Sequence, residues 1–281
     1  LKTGRIARVV MALCLLVLTI LAVSYYLKPA KDSDSQLGLG KLIENIIPKQ
    51  PTLNIPDFAS IKDIPTKKNA FFNYLRPAII QQNKLIEKQR QFIIHFQQQL
   101  ENKQAYSEAE GFELQQIADQ YQYNIRDLEP DTLTALLKRV DVIPENMVLI
   151  QAANETGWGS SRFAREGRNF FGQWCFKQGC GLVPLSRTEG MNHEVAVFKS
   201  MDASVASYMN NLNTNGAYQT FRDIRADLRA NHQPLTAEKL VYGLINYSER
   251  KQAYIDELLE MLRHNQRYLG EQDAKVSTTS E

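Results

Sequence analysis

The sequence predicts a mainly α-helical (α+β) domain with a small strand-bearing lobe, and three observations predict it. Apolar residues recur at helical spacing in successive segments between Phe71 and Leu262. That pattern breaks between Gly172 and about Ser200, where glycines, two cysteines and the run Glu194-Val195-Ala196-Val197-Phe198 read as hairpins. Start and stop residues bracket the helices, above all Pro144 ahead of Met147, Val148, Ile150 and Ala152, and Gly157 and Gly159 behind them.

Composition sets wide bounds. The 281 residues leave room for one sizeable core plus appendages, with 43% hydrophobic and 23% charged side chains. With 33 basic against 31 acidic side chains the net charge is +2, so no overall field favours nucleic acid as a partner.

Taken in order, Lys2, Arg5 and Arg8 precede the apolar run Val9 to Leu27, long enough to cross a bilayer with positive charge on its inner flank. Residues 1–27 are therefore expected to be a signal anchor in the inner membrane or a signal peptide. Ala22-Val23-Ser24 offers a weak cleavage pattern, and Tyr25 and Tyr26 suit an interfacial anchor. Five of the ten prolines fall between Lys28 and Asn69, which reads as a Pro-rich linker.

Residues 70–127 read as a helical extension. A long amphipathic helix is expected from Phe71 to about Lys103, punctuated by Pro77, and a second from Phe112 to Tyr121. Asp131 is expected to cap a helix carrying Leu133, Leu136, Leu137 and Val140, and Asp202 one carrying Val205, Tyr208, Met209 and Leu212. Further helices carry Phe221, Ile224 and Leu228, then Leu240 and Leu244, then Ile255, Leu258, Leu259 and Leu262. Arg222, Arg225 and Arg229 recur along one of them, read as a solvated face or a contact for an anionic polymer. The polar tail 271–281 reads as disordered.

Cys175 and Cys180 are separated by Phe-Lys-Gln-Gly. That spacing suits a disulfide-closed loop in an exported domain; half a metal site and two free thiols are the alternatives. No second Cys or His pair stands at ligand spacing, and neither a metal nor another cofactor is expected.

Glu155 is the residue to which chemistry attaches. It stands at a helix C-terminus, where partial negative charge disfavours a carboxylate, and Trp158 is close in sequence, so its protonated form is favoured, as a general acid requires. Local physics permits that role and equally permits a solvated helix end.

The run Ala152-Ala-Asn-Glu155-Thr-Gly-Trp158-Gly-Ser-Ser161, followed by Asn169-Phe-Phe-Gly172, resembles the signature of the peptidoglycan glucosaminidase family, glycoside hydrolase family 73, also described as mannosyl-glycoprotein endo-β-N-acetylglucosaminidase-like. Within it the chain is most similar to the Bax-type envelope proteins of Gram-negative bacteria. The resemblance implies a lysozyme-like two-lobed catalytic domain over residues 128–270. It implies peptidoglycan glycan strands as substrate and a periplasmic location, and leaves the oligomeric state open. Glu155 matches the family's general acid. Glu189, in Arg187-Thr-Glu-Gly190, is the expected second carboxylate, with Glu194 or the substrate's own 2-acetamido group as alternatives. Trp158, Phe171 and Trp174 are expected substrate contacts, because pyranose CH faces pack on aromatic rings. Tyr254 is matched to the family's active-site tyrosine, although Tyr247-Ser-Glu-Arg-Lys-Gln-Ala-Tyr254 is one residue longer than the family motif and lacks its proline.

Overall fold

The computed structural model describes residues 55–185, 187, 190 and 192–270. The expected membrane segment, most of the linker, the tail 271–281 and Glu189 lie outside the described residues. Among the described residues no helix is long and apolar enough to cross a membrane.

Helix α1 (Ile64–Glu101) opens on Asp63, whose carboxylate accepts from Thr66 N at 2.9 Å, with a proline in its first turn. It starts seven residues ahead of Phe71 and continues through Pro77. A mid-helix proline costs about 3 kcal/mol. Phe71, Phe72, Leu75, Ala78 and Ile79 are all buried around it, at about 1.5–3 kcal/mol for each large side chain, which outweighs that cost. Helix α2 (Glu108–Gln120) begins with a reciprocal capping box between Ser107 and Glu110. Helix α3 (Pro130–Leu137) begins at Pro130, with Glu129 at the N-cap and no side-chain cap bond. Asp131 lies in its first turn rather than capping it, because Pro130, with its φ preset, is already the first helical residue.

Helix α4 (Glu145–Thr156) follows Pro144 and ends at Gly157, whose φ of 54° is the left-handed conformation that glycine adopts most cheaply. Helix α5 (Arg162–Gly167) leads into three short strands, β1 (Trp174–Cys175), β2 (Gly181–Leu182) and β3 (Glu194–Ala196). They form an antiparallel sheet in the order β1-β3-β2, with Trp174 and Leu182 both in register with Val195. The Cys175–Cys180 disulfide closes the β1–β2 turn.

Helix α6 (Met201–Thr214) is capped by Ser200, whose hydroxyl accepts from Ala203 N at 3.1 Å; Asp202, the expected cap, sits in the first turn, favourable to the helix dipole. A short 3₁₀ turn leads to α7 (Gln219–Ala230), then α8 (Ala237–Leu240), a second 3₁₀ turn (Val241–Leu244) and α9 (Gln252–Leu269). Arg222 and Arg225 of α7 are buried, so they form neither a solvated face nor a free polymer contact. Arg222 donates to the carbonyls of Leu212 and Asn215, and Arg225 to those of Asp141, Val142 and Lys138. Asp141 accepts a bidentate pair from Arg229 and lies 3.5 Å from Arg90 and 3.8 Å from Arg225. One hydrophobic core runs from Phe58 through α1 to Leu269, so the long first helix shares its packing with the helices that carry the Glu155 site. The fold is thus mainly helical with a small β-lobe, the class expected from periodicity.

Candidate active site

The α4 helix presents Glu155 in its last turn. Burial raises the Glu155 pKa above the ordinary carboxylate value, partly offset by a hydrogen bond from Tyr254 and the positive charge of Arg250, while the negative charge of Glu257 adds to the rise. Tyr254, on the first turn of α9, donates to Glu155 Oε1 at 2.9 Å and itself accepts from Gln151 Nε2 at 3.0 Å. Gln151 lies one turn before Glu155 on α4, and its Oε1 accepts a hydrogen bond from the Tyr208 hydroxyl of α6. Tyr208 and Gln151 are wholly buried.

Glu155 Oε2 faces Gly172, where an added Cβ would lie 3.5 Å from that oxygen. Gly172 has a φ of 62°, and the turn carrying it is held by Asn169. The Asn169 amide donates to the carbonyls of Gln173 and Ala196, and its oxygen accepts from Phe171 N and Gln173 N. Phe170 N and the Gln173 side chain both bond to Ser204 of α6. The Asn-Phe-Phe-Gly segment therefore ties β-lobe to helical lobe and brings a backbone without a Cβ to Glu155.

The expected site residues separate by location. Tyr254 contacts Glu155 directly and stacks on Tyr247, centroids 5.6 Å apart. Tyr247 donates to the Phe171 carbonyl at 2.7 Å. Phe171 is 1% exposed and stacks on Tyr208 at 4.0 Å, so its ring is packed in the interior with Tyr208. Trp158 packs on Phe71 and Phe72 of α1, with the Lys68 ammonium 5.0 Å from its ring. Trp174 is 56% exposed on β1 and stacks on His193 at 4.2 Å. Glu194 accepts from Gly179 N at 3.0 Å and Gly181 N at 2.8 Å, which holds its pKa below the ordinary value and commits both oxygens to the disulfide loop. Glu189 lies outside the described residues.

Sequence reasoning missed Gln151 and the place of Tyr208 beside Glu155, whereas Asn169 already opens the Asn-Phe-Phe-Gly motif. Tyr208 reads in sequence as one more apolar position of α6, and Gln151 as a polar residue between core positions. Only their proximity in space shows that a buried amide and phenol meet beside Glu155.

A family model described as mannosyl-glycoprotein endo-beta-N-acetylglucosaminidase matches residues 130–267. Protein bax of Escherichia coli (strain K12) is 36% identical over 221 residues, covering 77% of this chain and 76% of that protein. The chain belongs to the glucosaminidase family. No solved structure matches it. The match contains Glu155, the β-lobe and Tyr254 alike, and membership of the glucosaminidase family supports a glycan hydrolase type of function.

Proposed function

We infer that the chain is a peptidoglycan hydrolase that cleaves β-1,4 glycosidic bonds next to N-acetylglucosamine, with Glu155 as the general acid. The observation that carries this reading is the Glu155 carboxyl itself. Partial burial raises its pKa and so favours the protonated form, Tyr254 holds one oxygen, and the other faces the side-chain-free edge of Gly172.

Glu155 gives its proton to the glycosidic oxygen while the C1–O bond breaks and its electron pair stays on that oxygen. The positive charge developing at C1 is met on the opposite face. Glu189 is our candidate for that role, directly or through water, with the 2-acetamido group of the substrate as the alternative. Glu194 is disfavoured because its oxygens already accept two backbone N–H groups. Trp174, exposed and held by His193, is the sugar platform we favour. Phe171 and Trp158 have packing roles instead: one stacks on Tyr208, the other packs the end of α4 against α1.

We further propose a periplasmic location with residues 1–27 as anchor. The Cys175–Cys180 disulfide fits an oxidising compartment.

The test is digestion of purified sacculi by the full chain. Soluble fragments with new reducing ends at N-acetylglucosamine support the reading, and Glu155→Gln should slow their release by about 10²–10⁴-fold. Products ending in a 1,6-anhydro sugar would instead identify a lytic transglycosylase, which also uses a lone acidic residue. Sacculus binding without soluble product would identify a wall-binding protein on the same fold.

A further inference from the structure

The hydrogen bonds around Glu155 form a chain with a direction. Tyr208 donates to Gln151 Oε1, Gln151 Nε2 donates to Tyr254, and Tyr254 donates to Glu155 Oε1. An amide has chemically different ends, one a pure acceptor and the other a pure donor, so the orientation of Gln151 sets the direction of the whole chain. We propose that Gln151 and Tyr208 are positioning residues that commit the Tyr254 proton to Glu155 Oε1, so that Oε2, facing Gly172, is the oxygen that carries and delivers the catalytic proton. This rests on reading Glu155 as the acid.

Two alternatives are disfavoured by the same geometry. A proton on Oε1 would reverse the bond to Tyr254 and turn the Tyr254 proton towards the N–H groups of Gln151, donor against donor. An overturned Gln151 amide would place its oxygen at Tyr254 and take the Tyr254 proton away from Glu155. It would also leave the Tyr208 proton, on a residue with no solvent exposure, without the oxygen it now bonds. Tyr208 thus locks the amide, the amide locks Tyr254, and Tyr254 selects the oxygen. The selected oxygen is the one that faces the Cβ-free edge of Gly172.

Other groups also face Glu155. Arg250 and Glu257 act on it from the approach to α9 and from α9 itself, and the phenols of Tyr218 and Tyr247 face it from the turn after α6 and the turn before α9. None of these is altered in charge by the substitutions below, so they form a constant background.

The test is a titration of Glu155 by carbon-13 NMR on the full chain labelled at glutamate carboxyls, with the signal assigned by its loss in Glu155→Gln. Tyr254→Phe removes the donor to the carboxylate and should move the Glu155 midpoint upward by about one pH unit. Tyr208→Phe frees the amide to turn and should produce a shift of the same sign and similar size, although Tyr208 does not touch Glu155. The double variant should shift no further than Tyr254→Phe alone, because both act through one proton. Gln151→Met is the second probe should Tyr208→Phe fail to fold, and it too should raise the midpoint. An unchanged midpoint in Tyr208→Phe or Gln151→Met, or additive shifts in the double variant, overturns the relay. Because the titration needs no turnover, shifted midpoints in a protein that releases nothing from sacculi would uphold the relay and remove the hydrolase reading instead.

Discussion

Tyr254 donates to Glu155 Oε1 at 2.9 Å across 99 residues of chain, joining the first turn of the last helix to the last turn of α4. This bond favours the carboxylate while burial disfavours it, and burial prevails. Hydrolysis needs the protonated acid, present below the raised pKa and lost as pH rises through it. The rate of sacculus digestion should therefore fall on an alkaline limb set above the ordinary glutamate range. Glu155→Gln should lower the rate by about 10²–10⁴-fold, a range typical for loss of a general acid. A pH–rate profile for parent and variant measures both.

The same shift acts on stability with a definite sign. Between the ordinary carboxylate pKa and the raised one, the folded chain holds a proton at Glu155 that the unfolded chain has released. Stability contributed by this group is thus lost as pH rises across that window. Glu155→Gln lacks the titration, so its melting temperature relative to the parent should climb from acid to neutral pH. Calorimetry in matched buffers gives the difference directly, and a constant offset would contradict the raised pKa of Glu155.

Two aromatic residues only three positions apart should respond oppositely. Trp174 is 56% exposed, so Trp174→Ala should leave the melting temperature nearly unchanged. It should raise KM for glycan by roughly 10-fold, equivalent to about 1.4 kcal/mol. Phe171 is 1% exposed and stacked on Tyr208, so Phe171→Ala should cost about 3–5 kcal/mol of stability. Urea denaturation beside steady-state kinetics separates the two effects.

What the sequence made legible follows from which interactions are local. The α4 helix, its stop at Gly157 and the strand at Glu194 depend on neighbours within a few residues, and periodicity and turn chemistry expose them. Helix starts were less legible. Asp131 and Asp202 look like caps, but Glu129 and Ser200 hold those positions, two residues earlier in each case. At the site, Glu155 and Tyr254 were reachable through motif resemblance. The Gln151–Tyr208 contact was not, because 57 residues separate partners that each look like ordinary interior positions. Arg222 and Arg225 misled for the same reason. A row of arginines on a helix signals solvent unless one knows that carbonyls and Asp141 lie opposite.

Asp141 should be a point of large energetic sensitivity. Burial alone would raise its pKa, but Arg225, Arg90 and Arg229 together hold it below the ordinary value, while burial pulls the Arg225 guanidinium down to about 10. Asp141→Ala leaves buried positive charge without its counter-ion, which should cost about 3–5 kcal/mol. The sign with pH is opposite to that of Glu155. The contribution of Asp141 is present above the ordinary aspartate pKa and is lost as pH falls through the depressed one. Urea midpoints at neutral and acid pH should show the gap between parent and variant narrowing in acid.

The disulfide should matter to the small lobe more than to the acid. Cys175 follows Trp174 on β1, and Cys180 precedes β2, so the bridge holds the turn from which the exposed tryptophan projects. Closing so short a loop stabilises by about 2 kcal/mol in the chain-entropy account. Replacing both cysteines by serine should therefore lower the melting temperature modestly. Glu194, still bonded to Gly179 N and Gly181 N, should keep the turn from opening fully. Trp174 fluorescence should become more accessible to a soluble quencher and glycan affinity should drop several-fold, while the Glu155 titration stays in place, because Tyr254 and Gln151 belong to α9 and α4. Loss of the Glu155 shift in that variant would show that the two lobes are more tightly coupled than the Asn169 bonds between them imply.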